Sequence, residues 1–212
     1  MRRKRVYLAG IFVVSFYFIL FPWRSLAADQ DVSLHLWGQV SPFVHGEAGS
    51  GPGAPDYKDV FDTGFGGSLE LSWRFCNYFS LLGGIGYENY NGKTFQDISF
   101  DDFKVIPLYL GGKFHILSKD SKWNPYVRID AGAAHLSSVD ISFAGLEGRY
   151  WNSSWVFLFD IGGGVEYRFK KWGIGLEVLP RYLGKPDSAL GRPSDAKSSW
   201  TIPIRLGVSY HF

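Results

Sequence analysis

Every second residue in the last run of the chain is apolar or aromatic: Trp200, Ile202, Ile204, Leu206, Val208, Tyr210 and Phe212. Between them stand Thr201, Pro203, Arg205, Gly207, Ser209 and His211, which are polar, small or turn-forming. A period of two is that of a β-strand with one greasy and one polar face. Aromatic residues stand at both ends of the greasy face. That is the pattern of a strand crossing a bilayer within a closed barrel, where rings sit at the two interfaces.

Seven earlier segments alternate in the same way. The first, Val32 to His45, is the least regular, with Leu34, Leu36 and Val40 on one face. The second, Gly64 to Phe75, sets Phe65, Leu69, Leu71 and Trp73 against Ser68, Glu70, Ser72 and Arg74. The third, Phe79 to Asn91, points Leu81, Ile85 and Tyr87 outward. The fourth, Phe103 to Leu117, points Ile106, Leu108, Leu110 and Phe114 outward and Tyr109, Lys113 and His115 inward. The fifth, Pro125 to Val139, opposes Val127, Ile129 and Ala131 to Tyr126, Arg128 and Asp130. The sixth, Ser154 to Phe169, is the clearest, with Trp155, Phe157, Phe159, Ile161, Val165 and Tyr167 on one face and Asp160, Glu166 and Arg168 on the other. The seventh, Trp172 to Leu183, sets Trp172, Ile174, Leu176 and Val178 against Glu177 and Arg181.

The connections alternate in length. Those at Cys76–Tyr78, Ser118–Asn124 and Lys170–Lys171 are short, whereas Gly46–Asp62, Gly92–Asp102, Asp140–Ser153 and Gly184–Ser198 are longer and rich in Gly, Pro, Ser and Asp. Short turns at one end and long loops at the other are expected of an outer-membrane barrel. An even strand count closes an antiparallel sheet and leaves no edge. The expected fold is all-β: an eight-stranded, antiparallel, up-and-down transmembrane barrel. A soluble barrel would reverse the polarity, with greasy side chains inside. Aromatics make up 18% of the chain and mean hydropathy is −0.05, a composition that suits alternating strands and not transmembrane helices.

The N-terminus fits export. Met1 precedes Arg2, Arg3, Lys4 and Arg5, an apolar stretch runs from Val6 to Trp23, and Ser25-Leu26-Ala27-Ala28 follows. This is the plan of a cleavable signal peptide, with cleavage after Ala27 or Ala28. The expected division is therefore a signal peptide over residues 1–28, read by the Sec pathway, and a barrel domain over residues 29–212. Five of the 22 basic residues lie in the signal (the fifth is Arg24), leaving 17 against 20 acids, a net charge of −3. The basic balance of the whole chain is thus no argument for nucleic-acid binding. The lone Cys76 can form no internal disulfide.

The segments Val105 to Lys113, Asn124 to Val127, Ala131 to Ala133 and Phe159 to Tyr167 resemble the small outer-membrane β-barrel domain family, which includes the transmembrane half of OmpA and the OmpX- and opacity-type proteins. The resemblance spans residues 29–212 and implies a location in the outer membrane of a diderm bacterium. OmpA carries a periplasmic peptidoglycan-binding domain after its barrel; here no such anchor is expected. Tyr210 and Phe212, at the end of the last strand, resemble the signal that the outer-membrane assembly machinery reads. That machinery, outer-membrane lipid and lipopolysaccharide are the implied partners of an expected monomer. No nucleic acid and no cofactor are implied.

The inward face carries six acids, Glu70, Glu88, Asp130, Asp160, Glu166 and Glu177, and six bases, Arg74, Lys113, Arg128, Arg168, Arg181 and Arg205. An eight-stranded interior is just wide enough to be filled by side chains. Balanced charges predict paired groups bridging the lumen, because a buried unpaired charge is costly. A one-signed lining would have predicted an ion-selective pore.

Catalysis is weighed and set aside. His135-Leu136-Ser137, followed by Glu147, has the spacing of the His-x-Ser motif in PagL-type lipid A deacylases, where a His activates a Ser for acyl attack. The flanking residues do not extend that pattern, and His135 is read as a strand-end residue near the outer interface. Gly162-Gly163-Gly164 lies mid-strand with no following helix, so it is no phosphate loop. Loop acids such as Asp56, Asp59, Asp62, Asp101 and Asp102 are read as solvated charges. The expected function is non-enzymatic: a structural or surface-interaction role through the long loops. The alternatives are a narrow porin or OmpW-like conduit for small molecules and, third, a lipid A-modifying enzyme.

Overall fold

The computed structural model describes residues 31–212, and of Arg192 only the backbone. The expected signal peptide lies outside the described residues. In chain order the strands are β1 (Asp31–Ser41), β2 (Phe43–His45), β3 (Gly64–Arg74), β4 (Phe79–Tyr90), β5 (Thr94–Phe95), β6 (Ile98–Phe100), β7 (Phe103–His115), β8 (Trp123–Leu136), β9 (Val139–Phe143), β10 (Leu146–Asn152), β11 (Ser154–Phe169), β12 (Trp172–Val178), β13 (Arg181–Leu183), β14 (Asp187–Ser188), β15 (Ser199–Thr201) and β16 (Ile204–His211). One helical turn, α1 (Tyr57–Val60), lies in the first long loop.

Eight strands, all antiparallel, form the wall. β1 pairs with both β3 and β16, and the ring runs on through β4, β7, β8, β11 and β12 back to β16. Side chains alternate as the sequence demands: Leu206 and Leu110 stand 63% and 73% exposed on the outside, while Arg205 and Tyr109 are buried inside.

Three expected strands prove to be broken. The first is interrupted at Pro42, the seventh at Leu179–Pro180 and the eighth at Ile202–Pro203. Proline has no N–H to give the ladder. Its carbonyl still accepts, so the ladder crosses each break: Ile202 N donates to Pro42 O, Leu179 N to Pro203 O and Ile161 N to Pro180 O, at 3.1, 2.9 and 3.1 Å. Three neighbouring strands are thus notched near the loop end and still joined. The fifth expected segment also divides, ending as β8 at Leu136 and resuming at Val139 as β9.

The long loops, expected as solvated connections, are folded instead. β5, β6, β9, β10 and β14 form a second sheet in the order β14-β10-β9-β6-β5. Its two hairpins turn at Gln96-Asp97 and Ala144-Gly145, all four at positive φ, as a tight two-residue hairpin turn requires. In α1, Asp56 and Asp59 form a reciprocal capping box, which closes one helical turn and directs Tyr57 and Val60 into the interior.

Candidate functional site: the lumen and its cap

The structure places all twelve inward charges inside the barrel, eleven of them buried, with Arg168 half-buried near the turn end. They gather in three tiers. At the turn end Asp31 lies 2.6 Å from Arg168 and 3.0 Å from His211, and His211 reaches Glu166 at 2.8 Å. Arg74 stands apart from the acids named here, donating to the Leu117 and Asn77 carbonyls and to Asn124.

The middle tier is a knot of two acids and three cations. Glu70 meets Lys113 at 2.7 Å and Arg128 at 2.6 Å. Glu177 meets Arg205 at 2.9 Å, Arg128 at 3.1 Å and Lys113 at 3.5 Å. Arg128 also donates to Asp130 at 2.6 Å, and the Tyr126 hydroxyl donates to Glu177 at 2.6 Å. These residues come from β3, β7, β8, β12 and β16, so the knot spans the lumen. Trp37 stacks over it, 5.1 Å from the Arg205 guanidinium and 5.8 Å from Lys113, distances at which the ring face attracts a cation. Its indole fits because Gly175 and Gly207 lack side chains. A Cβ there would come within 2.7 and 2.5 Å of the ring.

In the upper tier, Arg181 grips Asp160 through two bonds of 2.8 Å and contacts Glu88 from the far wall. Tyr90 donates to Glu88 at 2.7 Å. Each charge here is buried, so one partner lost leaves another uncompensated. Within the lower lumen an enclosed space of only about 10 Å³ is found among Ser33, His35, Ser80, His115 and their neighbours, room for about one water molecule.

Above the charges the lumen turns apolar, where the alternation of greasy outer and polar inner faces predicts a polar lining. Inward-facing Phe43, Tyr90, Phe103, Val105, Leu136, Leu158 and Leu183 meet Tyr57, Val60, Phe61, Phe100, Tyr150 and Trp151 from the folded loops in one buried cluster. The rings interlock: Phe43–Tyr90 4.7 Å, Phe43–Tyr57 5.0 Å, Phe61–Phe103 5.3 Å, Tyr57–Trp151 5.4 Å. Such offset and tilted contacts add to the area that the rings bury. The loops are pinned by their own aromatics: the Tyr57 hydroxyl donates to the Lys197 carbonyl, that of Tyr150 to Pro193 and the Trp151 indole to Ser194. Burial pushes the Tyr57 and Tyr150 hydroxyls above the usual phenol range. One trace of the apolar upper lumen, though not of the loops that cover it, stands in the sequence. Val156-Phe157-Leu158-Phe159 is apolar at four successive positions, so the inward face is greasy there as well as the outward one: Val156 and Leu158 are buried while Phe157 is exposed on the outer wall.

The residues weighed for acyl transfer do not gather. His135 Nε2 lies 3.1 Å from Ser153 Oγ, Ser137 Oγ accepts the Lys104 N–H at 2.9 Å, and Glu147 is exposed on β10 opposite Ser142. Tyr210 and Phe212 form an edge-to-face pair 5.2 Å apart, and Trp172 meets Tyr210 at 5.1 Å. Cys76 is free and exposed in its turn. Among the described residues no cluster of His, Cys, Asp and Glu has the arrangement of a metal site.

No protein-family model matches the sequence, and no curated protein does. Solved structures do. The outer membrane protein AlkL, determined in lipid bilayers, is 14% identical with a TM-score of 0.54, covering 91% of this chain and 95% of its own. A major outer membrane protein from Thermus thermophilus is 12% identical with a TM-score of 0.52, over 85% of this chain and 99% of its own. Neisserial surface protein A is 12% identical with a TM-score of 0.51, over 86% and 97%. At such identities the likeness establishes the fold, that of the small outer-membrane β-barrels.

Proposed function

We propose that this chain is an exported protein of the bacterial outer membrane, non-enzymatic and closed to solutes, that presents a folded cap to the outside. The double closure of the lumen carries the reading: the Glu70–Glu177 knot fills the middle of the barrel, and the aromatic cluster around Trp151 and Phe61 lies above it. A channel needs a continuous wet path, and its selectivity comes from a one-signed lining; paired charges under packed rings offer neither. The wall supports the location, since its exposed face is apolar and its ends carry aromatic belts, as bilayer insertion requires. Bilayer lipid, lipopolysaccharide and, during biogenesis, the assembly machinery are the partners this location implies.

The cap is the surface offered to a partner. Segments 46–63, 91–102, 137–153 and 184–198 carry eleven acids against six bases, a net of −5, which favours a partner with a basic face.

Epitope tags test location and orientation together. Gly51 and Gly53 lie at positive φ with open space around them, so a tag between them is tolerated. It should be labelled on intact cells, and a tag between Lys170 and Lys171 only after permeabilisation. The opposite pattern, or labelling of neither tag in the outer-membrane fraction, would overturn the reading.

A further inference from the structure

The turn end carries a charge feature that the lumen does not use. Lys119 and Lys122 lie in the turn between β7 and β8, and Lys170 and Lys171 in the turn between β11 and β12. These turns are neighbours: Arg168 N, at the end of β11, donates to the Lys122 carbonyl at 2.8 Å, and on the other side His211 N of β16 donates to the Lys171 carbonyl at 2.8 Å. The four lysines therefore border one open basin of about 550 Å³. Two acids border it as well. Asp31 is engaged by Arg168 and His211 and Lys119 has a partner of its own, which leaves Asp120 against Lys122, Lys170 and Lys171. The remaining turn, residues 75–78, has no charge. The excess is confined to one sector of the rim.

That sector adjoins an aromatic belt. Trp123 and Tyr167 pack at 4.9 Å and Trp172 and Tyr210 at 5.1 Å on the outer wall, and Lys171 Nζ sits 5.9 Å from the Tyr210 ring. Tyr167, Phe169 and Phe212 themselves border the basin. A ligand for this place has an anionic head at the lysines and an apolar body along the rings. Building on the membrane reading above, we propose that this sector is a docking site for the phosphate headgroup of an anionic glycerophospholipid in the leaflet at the turn end. Clustered lysines beside a bilayer attract anionic lipid, and interfacial rings sit at headgroup depth. A free phosphate ion would use the lysines but gain nothing from the belt.

The test is native mass spectrometry of the protein released from nanodiscs of equal phosphatidylglycerol and phosphatidylcholine. The wild type should retain at least about fivefold more of the anionic lipid, a modest part of what several lysines contribute near an anionic surface. Lys119→Gln, Lys122→Gln, Lys170→Gln and Lys171→Gln together should bring the ratio to about one. Lys58→Gln, Lys185→Gln and Lys197→Gln in the cap should leave it unchanged. Heat-modifiable migration on gels reports folding. If the fourfold variant does not fold, each adjacent pair of substitutions alone should still lower the ratio. Equal retention by the wild type, an unaltered ratio in folded variants, or displacement of the lipid by millimolar inorganic phosphate would overturn the proposal. Failure of the wild type to insert into phosphatidylcholine nanodiscs would instead sink the membrane reading beneath it.

Discussion

The indole of Trp151 donates its N–H to the Ser194 carbonyl at 3.0 Å, and this bond ties the third long loop to the fourth over the mouth of the barrel. Trp151 is fully buried and touches Tyr57, Phe61, Phe103 and Tyr150. Trp151→Ala should cost about 3–5 kcal/mol, and the loss should fall on the cap, because the wall is held by its own ladder. The expected outcome is a barrel that still shifts on heating but whose segments 137–153 and 184–198 become sensitive to protease. A variant as resistant as the wild type would show that the ring does not organise the cap.

Glu177 is the shared acid of Arg128, Arg205 and Lys113. Glu177→Gln keeps the volume and removes the charge, leaving three buried cations with Glu70 and Asp130. Breaking a buried pair costs about 3–5 kcal/mol. Urea titration of the variant in lipid vesicles should show a loss of that order. A loss under roughly 1 kcal/mol, the worth of an exposed pair, would mean that water reaches the knot.

Leu206 stands on the outer face of β16, between inward-facing Arg205 and Gly207. Leu206→Arg should destabilise the barrel in lipid by about 2–4 kcal/mol near the midplane of the bilayer, whereas Leu146→Arg at the exposed β9–β10 tip should cost little. Equal effects would argue that the wall does not face hydrocarbon.

The buried Tyr57 and Tyr150 hydroxyls have their pKa values raised, so the native cap holds them neutral. The unfolded cap releases these protons near pH 10. Stability is therefore unaffected by these groups below about pH 10 and falls as pH rises beyond it, where the unfolded form is favoured by ionisation. Near-ultraviolet circular dichroism should stay level from neutral pH and decline above about pH 10, with a shallower decline for Tyr57→Phe. A cap that loosens at neutral pH would contradict this.

His135 pairs with Ser153, not with Ser137. His135→Ala and Ser137→Ala should each leave the lipid A mass spectrum of an overexpressing cell identical to that made with the wild type. A spectrum altered by the wild type and restored by either variant would revive the enzymatic reading.

The wall was legible because a bilayer and a packed lumen impose opposite polarities on alternate residues. β11 shows this well, its observed bounds of Ser154–Phe169 coinciding with the alternating run. The breaks at Pro42, Pro180 and Pro203 were hidden because alternation runs through each proline unaltered; only the ladder changes. The cap was hidden for a different reason. Phe100, Phe103, Tyr150 and Trp151 sit in or beside segments whose Gly, Ser and Asp content marks turns, and their shared cluster is assembled from four loops distant in sequence. The Gln96-Asp97 hairpin lacks the glycine that signals such turns. The charges of the lumen were readable as a set, but their pairing was not. Arg181 reaches Glu88 across the barrel from a strand that register alone does not bring near.

Single-channel recording of the refolded barrel in a planar bilayer tests the closed lumen most directly. A closed lumen predicts a silent membrane from protein that is folded by its heat-modifiable migration. Stable openings of reproducible size, altered by replacing Arg128 or Glu166, would contradict it and make the lumen the functional site.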